Sequence, residues 1–266
     1  MMYFRPLTSV FRGERLDDLR HVADALIADA ADDRTSLIYH LADPATRSMV
    51  ATVARRFFES PLPAEFVARF GRQPLLNLTH TTIRLQAPES SETRIGWHLD
   101  LNFALDAAPF LVAWVPLEDI DETRIGLEIC IPAGAVDFKA LLAPWRARLA
   151  NHQALTFSED DVRTMFGDGG YRTKIMRLPA GGAAVFNQFL LHRTETSMQA
   201  TNSRRSFEFR MIDLENLPRS TNYGLSVLCR PDPDSPEGIG FLAKDEGPLR
   251  PIRPDALGKL QLRRGL

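Results

Sequence analysis

The chain has 266 residues, of which 44% are hydrophobic and 25% are charged, and its formal net charge is −2. This composition allows a substantial buried core, and the length suits one domain with embellishments. So small a net charge creates no long-range field that would attract nucleic acid or an anionic membrane surface. We therefore expect a small-molecule partner, no nucleic acid and no membrane, while the oligomeric state stays open.

The number of cysteines and the lengths of the apolar runs indicate the cellular compartment of the protein. The two cysteines, Cys130 and Cys229, do not suggest a disulfide framework. The first fifteen residues lack the uninterrupted apolar segment of a signal peptide, and no apolar run approaches the length of a membrane span. A cytoplasmic location is expected.

The first third of the chain has helical periodicity. Residues 14–33 carry apolar side chains at helical spacing, and residues 43–58 begin with Asp43 as an N-cap and Pro44 at the first helical position. A shorter helix is predicted from residue 62 to Gly71. We expect residues 1–72 to form a helical layer.

From residue 75 the pattern changes to short segments rich in β-branched and aromatic residues, separated by Pro, Gly or Asp. The predicted strands are LLNLTHTTIRLQ (75–86), RIGWHLDLNF (94–103), FLVAWVPL (110–117), IGLEICIP (125–132), YRTKIMRLP (171–179), GAAVFNQFLLH (182–192), RSFEFRMI (205–212) and YGLSVL (223–228). About eight strands suit a closed barrel or jelly roll, which we expect over residues 73–230.

Two helical segments interrupt these strands between about residues 135 and 170. The second begins at Ser158, with Asp161 in the capping-box position. This insert is either a lid or a helical element packed on the outside of the barrel, and the sequence leaves both possibilities open. The Pro-rich tail, residues 231–266, is expected to be an ordered coat or a loose arm.

The stretch GWHLDLNF carries the first candidate site residues. Strand alternation places His98 and Asp100 on one side, but a core histidine bonded to a carboxylate would explain this pair equally well. His192, which ends an apolar segment about ninety residues later, favours a metal site over a structural His–Asp pair. Two imidazoles and one carboxylate can occupy one face of an octahedral metal ion, as in non-haem Fe(II) oxygenases.

Four motifs follow one another along the chain: H-x-D at 98–100, GLEICIP, PAGGAAVFNQFLLHRT and R-x-S at 204–206. Their order, over about residues 75–213, resembles the Fe(II)/2-oxoglutarate-dependent oxygenases, within them the phytanoyl-CoA dioxygenase-like branch. This resemblance implies a double-stranded β-helix in which His98, Asp100 and His192 hold Fe(II). It also implies that 2-oxoglutarate chelates the iron, that O2 takes the remaining position, and that a substrate is hydroxylated with release of succinate and CO2.

The resemblance further implies an arginine that pairs with the far carboxylate of 2-oxoglutarate. Arg204, followed by Ser206, matches best, but relative to the family one residue is inserted between His192 and the arginine, which makes Arg205 an alternative anchor. Strand phase decides between them. If the apolar face of this strand packs against the helical layer, Arg204 faces the pocket; if that face looks into the barrel, Arg205 does. That face comprises Phe207, Phe209 and Met211.

Three further residues are candidates for binding the co-substrate. Thr194 stands where the family commonly has a serine near the co-substrate, although a strand-end hydroxyl is an equally simple interpretation. Arg84 and Gln86 share one strand face and line the pocket if that face looks inward, or form a solvated edge if it looks outward. Arg177 is predicted to face solvent, and Trp97 to serve packing.

Two other functions remain open. A metal barrel that uses no 2-oxoglutarate, such as a cupin-type dioxygenase or isomerase, is favoured if Arg204 and Arg205 both face solvent. A non-catalytic small-molecule-binding jelly roll is favoured if the His and Asp side chains are satisfied core residues without a metal. The substrate is expected to be a small metabolite, because no basic cluster is placed to bind the phosphates of an acyl-CoA.

Overall fold

The structure, a computed structural model, describes residues 2–29, 37–41, 49–88, 94–100, 109–145, 156–196, 200–213, 226–244 and 248–253. The strands in these ranges are β1 Phe4–Leu7, β2 Leu37–His40, β3 Leu75–Asn77, β4 Thr82–Gln86, β5 Trp97–His98, β6 Phe110–Pro116, β7 Leu127–Pro132, β8 Thr156–Phe157, β9 Tyr171–Met176, β10 Ala183–Phe186, β11 His192–Thr194, β12 Arg204–Ile212, β13 Ser226–Pro231, β14 Ile239–Lys244 and β15 Arg250–Ile252. The α-helices are α1 Glu14–Asp29, α2 Val50–Phe58, α3 Leu62–Phe70, α4 Phe138–Leu141 and α5 Glu159–Phe166, and a 3-10 turn covers Ala143–Trp145.

Two antiparallel sheets carry the fold. The larger sheet has the order β1-β10-β6-β12-β3-β13-β14-β15, with β4 also paired to β12 and β2 to β4. The smaller sheet has the order β8-β5-β11-β7-β9. Apolar side chains of β6 and β10 on the larger sheet pack against those of β7 and β9 on the smaller one. This is the predicted jelly roll, or double-stranded β-helix.

The helical layer covers the outer face of the larger sheet, although the range 1–72 predicted for it also contains strands β1 and β2. Phe209 of β12 contacts Phe11 and Phe57, with ring centroids 5.8 and 5.3 Å apart. Helix α3 ends at Gly71, whose positive φ of 67° is a conformation that glycine adopts without strain. None of the described helices is long and apolar enough to span a bilayer.

Several predicted boundaries differ from the structure. Helix α2 begins at Val50 after the N-cap Met49, and the predicted start near residue 43 lies outside the described residues. The segment 75–86 is two strands, because the chain turns where the Thr81 hydroxyl donates to the Asn77 carbonyl at 2.7 Å. The segment 182–192 also divides, since β10 ends at Phe186 and β11 begins at His192.

The helical insert lies on the outer face of the smaller sheet. Ser158 and Asp161 form the predicted capping box at the start of α5. The apolar residues of the insert join side chains that point away from the barrel interior. This outer cluster comprises Trp97, Leu99, Cys130, Leu142, Phe157, Val162 and Leu191. The described part of the insert packs on the outer face of the smaller sheet, which favours the second of the two possibilities, while residues 146–155 lie outside the described residues.

The tail is more regular than its composition suggested. Strand β14 pairs with β13 along its whole length, from Ser226 opposite Lys244 to Pro231 opposite Ile239. Strand β15 pairs in turn with β14. Within the tail expected to form a coat or an arm, the segments Ile239–Lys244 and Arg250–Ile252 thus extend the larger sheet.

Candidate metal centre

The smaller sheet brings two histidines side by side. His192 of β11 lies directly opposite His98 of β5 in the strand register, and the ring centroids are 4.1 Å apart. Both side chains line the cavity between the sheets. Because strand residues alternate between faces, Trp97 and Arg193 point to the outer side, where the guanidinium carbon of Arg193 lies 4.3 Å from the Trp97 ring centroid. The packing role predicted for Trp97 agrees with this position.

Backbone carbonyls orient both imidazole rings. Nδ1 of His98 lies 2.8 Å from the Gly96 carbonyl oxygen, and Nδ1 of His192 lies 2.9 Å from that of Leu190. A ring nitrogen that donates to a carbonyl leaves Nε2 as the nitrogen with a free lone pair. Burial, with a smaller effect from His192, lowers the pKa of His98 to about 3, so this ring is neutral, the form that binds metals.

Asp100 completes the group from just beyond the strand. Strand β5 ends at His98, so the carboxylate reaches the cavity from the segment that follows and not by strand alternation. Asp100 is 2% exposed. Its Oδ2 has no hydrogen-bond donor among the described residues and lies 3.9 Å from Nε2 of His192.

These three side chains can hold a metal ion. One ligand atom from each of His98, Asp100 and His192 lies within 4.8 Å of the others. A buried carboxylate oxygen without a donor is costly, and a cation would satisfy it. Two imidazole nitrogens and one carboxylate oxygen form the ligand set of non-haem iron sites.

Strand β12 faces the cavity with Arg204 and not with Arg205. Phe207, Phe209 and Met211 belong to the core beneath the helical layer, so the opposite face of the strand looks inward. Arg205 lies on the outer side, where its Nε donates to Glu118 at 2.6 Å. The expectation that made Arg204 the better match is therefore met in the fold.

The Arg204 guanidinium is held at the cavity wall. Its Nη1 donates to the carbonyl oxygens of Ile125 at 2.9 Å and Gly126 at 3.2 Å. Its Nε is buried and has no acceptor among the described residues. Burial, and next the nearby Arg84 cation, lower the pKa of Arg204. An anion bound in the cavity would supply the missing acceptor and stabilise the charged form.

The other candidate residues occupy different places. Arg84 and Thr194 line the cavity, and the Thr194 hydroxyl accepts from the Ile95 amide at 3.2 Å. Gln86 lies opposite Arg204 in the register of β4 and β12. It is fully buried, its side-chain amide donates to the Ala87 carbonyl at 3.1 Å, and it is not among the residues that line the cavity. Of the two orientations left open for this strand face, the inward one is observed at Arg84.

Two charged residues beside the site were missed from the sequence. Glu208 lines the cavity and forms ion pairs of 3.3 Å with Arg84 and with Arg210. Nη2 of Arg210 also lies 3.5 Å from Oδ1 of Asp100. Continuing the alternation from Arg204 along RRSFEFR would have placed both residues on the inward face.

The prediction that Arg177 faces solvent holds only in part, because its side chain is 32% exposed and also forms a buried ion pair. Its Nη1 and Nη2 donate to the two carboxylate oxygens of Glu195, at 2.7 and 2.8 Å. Glu195 is 1% exposed and immediately follows Thr194. A bidentate arginine pair with a buried carboxylate lies, therefore, behind the cavity wall.

Comparison with known proteins identifies the fold. No family model matches the chain, and no curated protein matches it by sequence. Among solved structures, HygX from Streptomyces hygroscopicus, with nickel and 2-oxoglutarate bound, is 19% identical with a TM-score of 0.53, over 79% of this chain and 83% of that one. AviO1 from Streptomyces viridochromogenes is 14% identical with a TM-score of 0.53, over 81% and 91%. The non-haem α-ketoglutarate-dependent carbocyclase SnoK is 12% identical with a TM-score of 0.50, over 79% and 80%.

Proposed function

We propose that this chain is a non-haem Fe(II)- and 2-oxoglutarate-dependent dioxygenase that hydroxylates a small-molecule metabolite. One observation carries the proposal: the buried Arg204 guanidinium shares a cavity with the group formed by His98, Asp100 and His192. A cation facing a site for a divalent metal is unfavourable unless an anion lies between them. A dicarboxylate that chelates the metal at one end and pairs with arginine at the other meets this need.

In this proposal His98, Asp100 and His192 hold Fe(II). Bound iron would supply, with O2, the oxidising chemistry for an unactivated C–H bond, and 2-oxoglutarate would be converted to succinate and CO2 as one oxygen atom enters the substrate and the other enters succinate. Arg204 binds the distal carboxylate of 2-oxoglutarate and so sets the orientation of the co-substrate. The Thr194 hydroxyl accepts from the Ile95 amide, so its own proton is available to donate to the same carboxylate.

The apolar part of the cavity wall keeps water away from these groups. Val112, Trp114, Leu127 and Phe186 line it, and each of these residues is buried. Exclusion of water strengthens a carboxylate–guanidinium pair and protects an oxidising site from side reactions. The chain's own contribution is thus to bind, orient and desolvate.

The alternatives are less well supported. A metal barrel without 2-oxoglutarate would be favoured by two solvent-facing arginines, and Arg204 is 2% exposed and faces the cavity. A non-catalytic jelly roll would be favoured by a fully satisfied Asp100, and its Oδ2 has no donor among the described residues.

The co-substrate, the branch of the family and the cellular location are assigned from sequence features and from similar solved structures. HygX is a structure with 2-oxoglutarate bound, which is in line with the proposed co-substrate. The phytanoyl-CoA dioxygenase-like branch rests on the order of the motifs. The cytoplasmic location is supported by two buried cysteines that are free thiols, Cys130 and Cys229.

Decarboxylation of 2-oxoglutarate tests the proposal. Purified protein loaded with Fe(II) is incubated with O2, 2-oxoglutarate and a library of small metabolites, and succinate is measured. We expect slow succinate release without a substrate and faster release with the correct one. No succinate in any mixture, from protein that binds iron, would favour the metal barrel that does not use 2-oxoglutarate.

A further inference from the structure

The carboxylate of Glu195 is fixed on both oxygens behind the cavity wall. Oε1 and Oε2 accept from the two terminal nitrogens of Arg177, and Oε2 also accepts from the backbone N–H of Gly126 at 2.6 Å. These are charge-assisted bonds to a buried anion, and such bonds are about twice as strong as bonds between neutral groups. The Gly126 amide is therefore held firmly.

The carbonyl group of Gly126 is also hydrogen-bonded to Glu195. The backbone N–H of Glu195 donates to the Gly126 carbonyl at 3.1 Å. That carbonyl, with the carbonyl of Ile125, accepts from Nη1 of Arg204. The position of Glu195 thus sets the position of the two acceptors that hold Arg204.

Close packing around Gly126 shows how tightly this unit is built. A Cβ atom on Gly126 would lie 3.0 Å from Nη1 of Arg177 and 3.1 Å from Oε2 of Glu195. These distances are shorter than ordinary van der Waals contacts. Glycine allows the carboxylate and the guanidinium to approach the backbone here.

We infer that Glu195 is a positioning residue for Arg204: it acts through the Ile125–Gly126 carbonyls to aim the guanidinium at the distal carboxylate of 2-oxoglutarate. The inference rests on the proposed function, because it assigns that carboxylate to Arg204. Loss of the Glu195 carboxylate frees the Gly126 amide and leaves Arg177 without its anion. The carbonyls then shift, and the guanidinium loses its fixed orientation.

The test compares two ligands that differ in the distal carboxylate alone. Anaerobic, Fe(II)-loaded protein is titrated by calorimetry with 2-oxoglutarate and with 2-oxopentanoate, which lacks that group. We expect Glu195→Ala to weaken 2-oxoglutarate binding by about tenfold or more while 2-oxopentanoate binds as it does to the parent. Glu195→Gln should lose less affinity, since its amide oxygen can still accept from Gly126.

Glu128→Ala is the matched control. Glu128 also lies in the smaller sheet and pairs with an arginine, Arg193, at 2.7 Å, but on the outer face. This variant should bind both ligands as the parent does. The double variant Arg204→Ala with Glu195→Ala should bind 2-oxoglutarate no more weakly than Arg204→Ala alone, because the two residues act as one unit.

Different results distinguish a failure of the positioning role from a failure of the proposed function. If Arg204→Ala lowers 2-oxoglutarate affinity selectively and both Glu195 variants do not, the positioning role is wrong and the proposed function stands. Equal weakening of both ligands by both Glu195 variants, or additive losses in the double variant, would likewise reject positioning. If Arg204→Ala itself has no effect on 2-oxoglutarate, the proposed co-substrate site is wrong.

Discussion

Arg210 contacts the carboxylate of Asp100 through the oxygen that His192 does not approach. Nη2 of Arg210 lies 3.5 Å from Oδ1, whereas Nε2 of His192 lies 3.9 Å from Oδ2. The cation therefore lies beside one oxygen, whereas the other oxygen has no hydrogen-bond donor among the described residues and is the one available to a metal ion. Groups that orient a metal ligand in this way commonly change metal affinity when they are removed.

We expect Arg210→Met to lower iron affinity by about 10- to 100-fold. The protein should also lose about 3–5 kcal/mol of unfolding free energy, because the substitution leaves Asp100 and Glu208 without a shared cation. Competition with a metal chelator measures the first effect and chemical denaturation the second. Arg72→Met is a suitable control, since Arg72 pairs with buried Asp213 at 3.0 Å and does not line the cavity. Equal iron affinity in the two variants would contradict the role of Arg210.

His192→Ala should abolish most iron binding and leave the fold intact. One imidazole of a three-residue ligand set is lost, and the remaining pair binds a divalent ion weakly. Metal content per chain after anaerobic loading and desalting measures the effect, with circular dichroism to monitor folding. His21→Ala, on the exposed face of α1, should retain the iron content of the parent. The metal assignment fails if His192→Ala retains that content too.

Arg204→Ala should weaken 2-oxoglutarate binding and leave iron binding nearly unchanged. A buried carboxylate without its guanidinium costs about 2–5 kcal/mol, which is a factor of roughly thirty to several thousand in affinity. Arg204→Lys should recover part of the loss, since lysine keeps the charge without the planar pair of donors. Anaerobic titration of the Fe(II) protein, followed by its charge-transfer absorption, provides the measurement.

Arg205→Ala serves as the comparison for that experiment. Arg205 pairs with Glu118 and Asp24 on the outer side of the sheet, so its removal should have little effect on 2-oxoglutarate. Greater sensitivity at Arg205 than at Arg204 would mean that the strand has the opposite phase in solution.

The metal-free protein should lose stability in acid through Glu208. Burial would raise the pKa of this carboxyl, but Arg84 and Arg210 outweigh burial and lower the pKa from 4.5 to about 2. An acid with a depressed folded-state pKa contributes stability that is fully present above pH 4.5 and is lost as the pH falls toward 2.

Denaturation at a series of pH values between 6 and 2 tests this effect. Glu208→Gln should be less stable than the parent at pH 6, because Arg84 and Arg210 lose an anion, and its stability should depend less on pH below 4.5. Parallel curves for the two proteins would show that Glu208 does not carry the acid sensitivity.

The alternation of strand β12 could be predicted because its pattern is local, whereas the sequence left open which face looks into the barrel. Phe207, Phe209 and Met211 alternate with polar residues, and the structure places this apolar face beneath the helical layer. The same alternation places Glu208 and Arg210 on the face of Arg204, so their position near the candidate metal site follows once the direction of that face is known. The grouping of His98, Asp100 and His192 was predicted from the order of the motifs along the chain.

Long-range pairing could not be predicted in the same way. Strand β1 carries Arg5 and Pro6 in four residues and is a strand because it pairs with β10. Arg177 lies one residue beyond β9, and its partner Glu195 comes from the end of another strand. The insert lies on the outer face of the smaller sheet because the apolar side chains of that face pack against it. In each case tertiary contacts determine the structure, and no local sequence pattern predicts these contacts.

The pairing of β13 with β14 sets where the chain can be shortened. Val227 and Cys229 are buried in the core beneath the helical layer, together with Phe241 and Ala243 of β14. A protein truncated after residue 231, where the Pro-rich composition begins, would expose a row of unpaired backbone groups on β13 and the apolar side chains that β14 covers. Such an edge promotes association between chains. Expression designs should therefore retain the sequence through residue 252, although its composition resembles that of a dispensable tail.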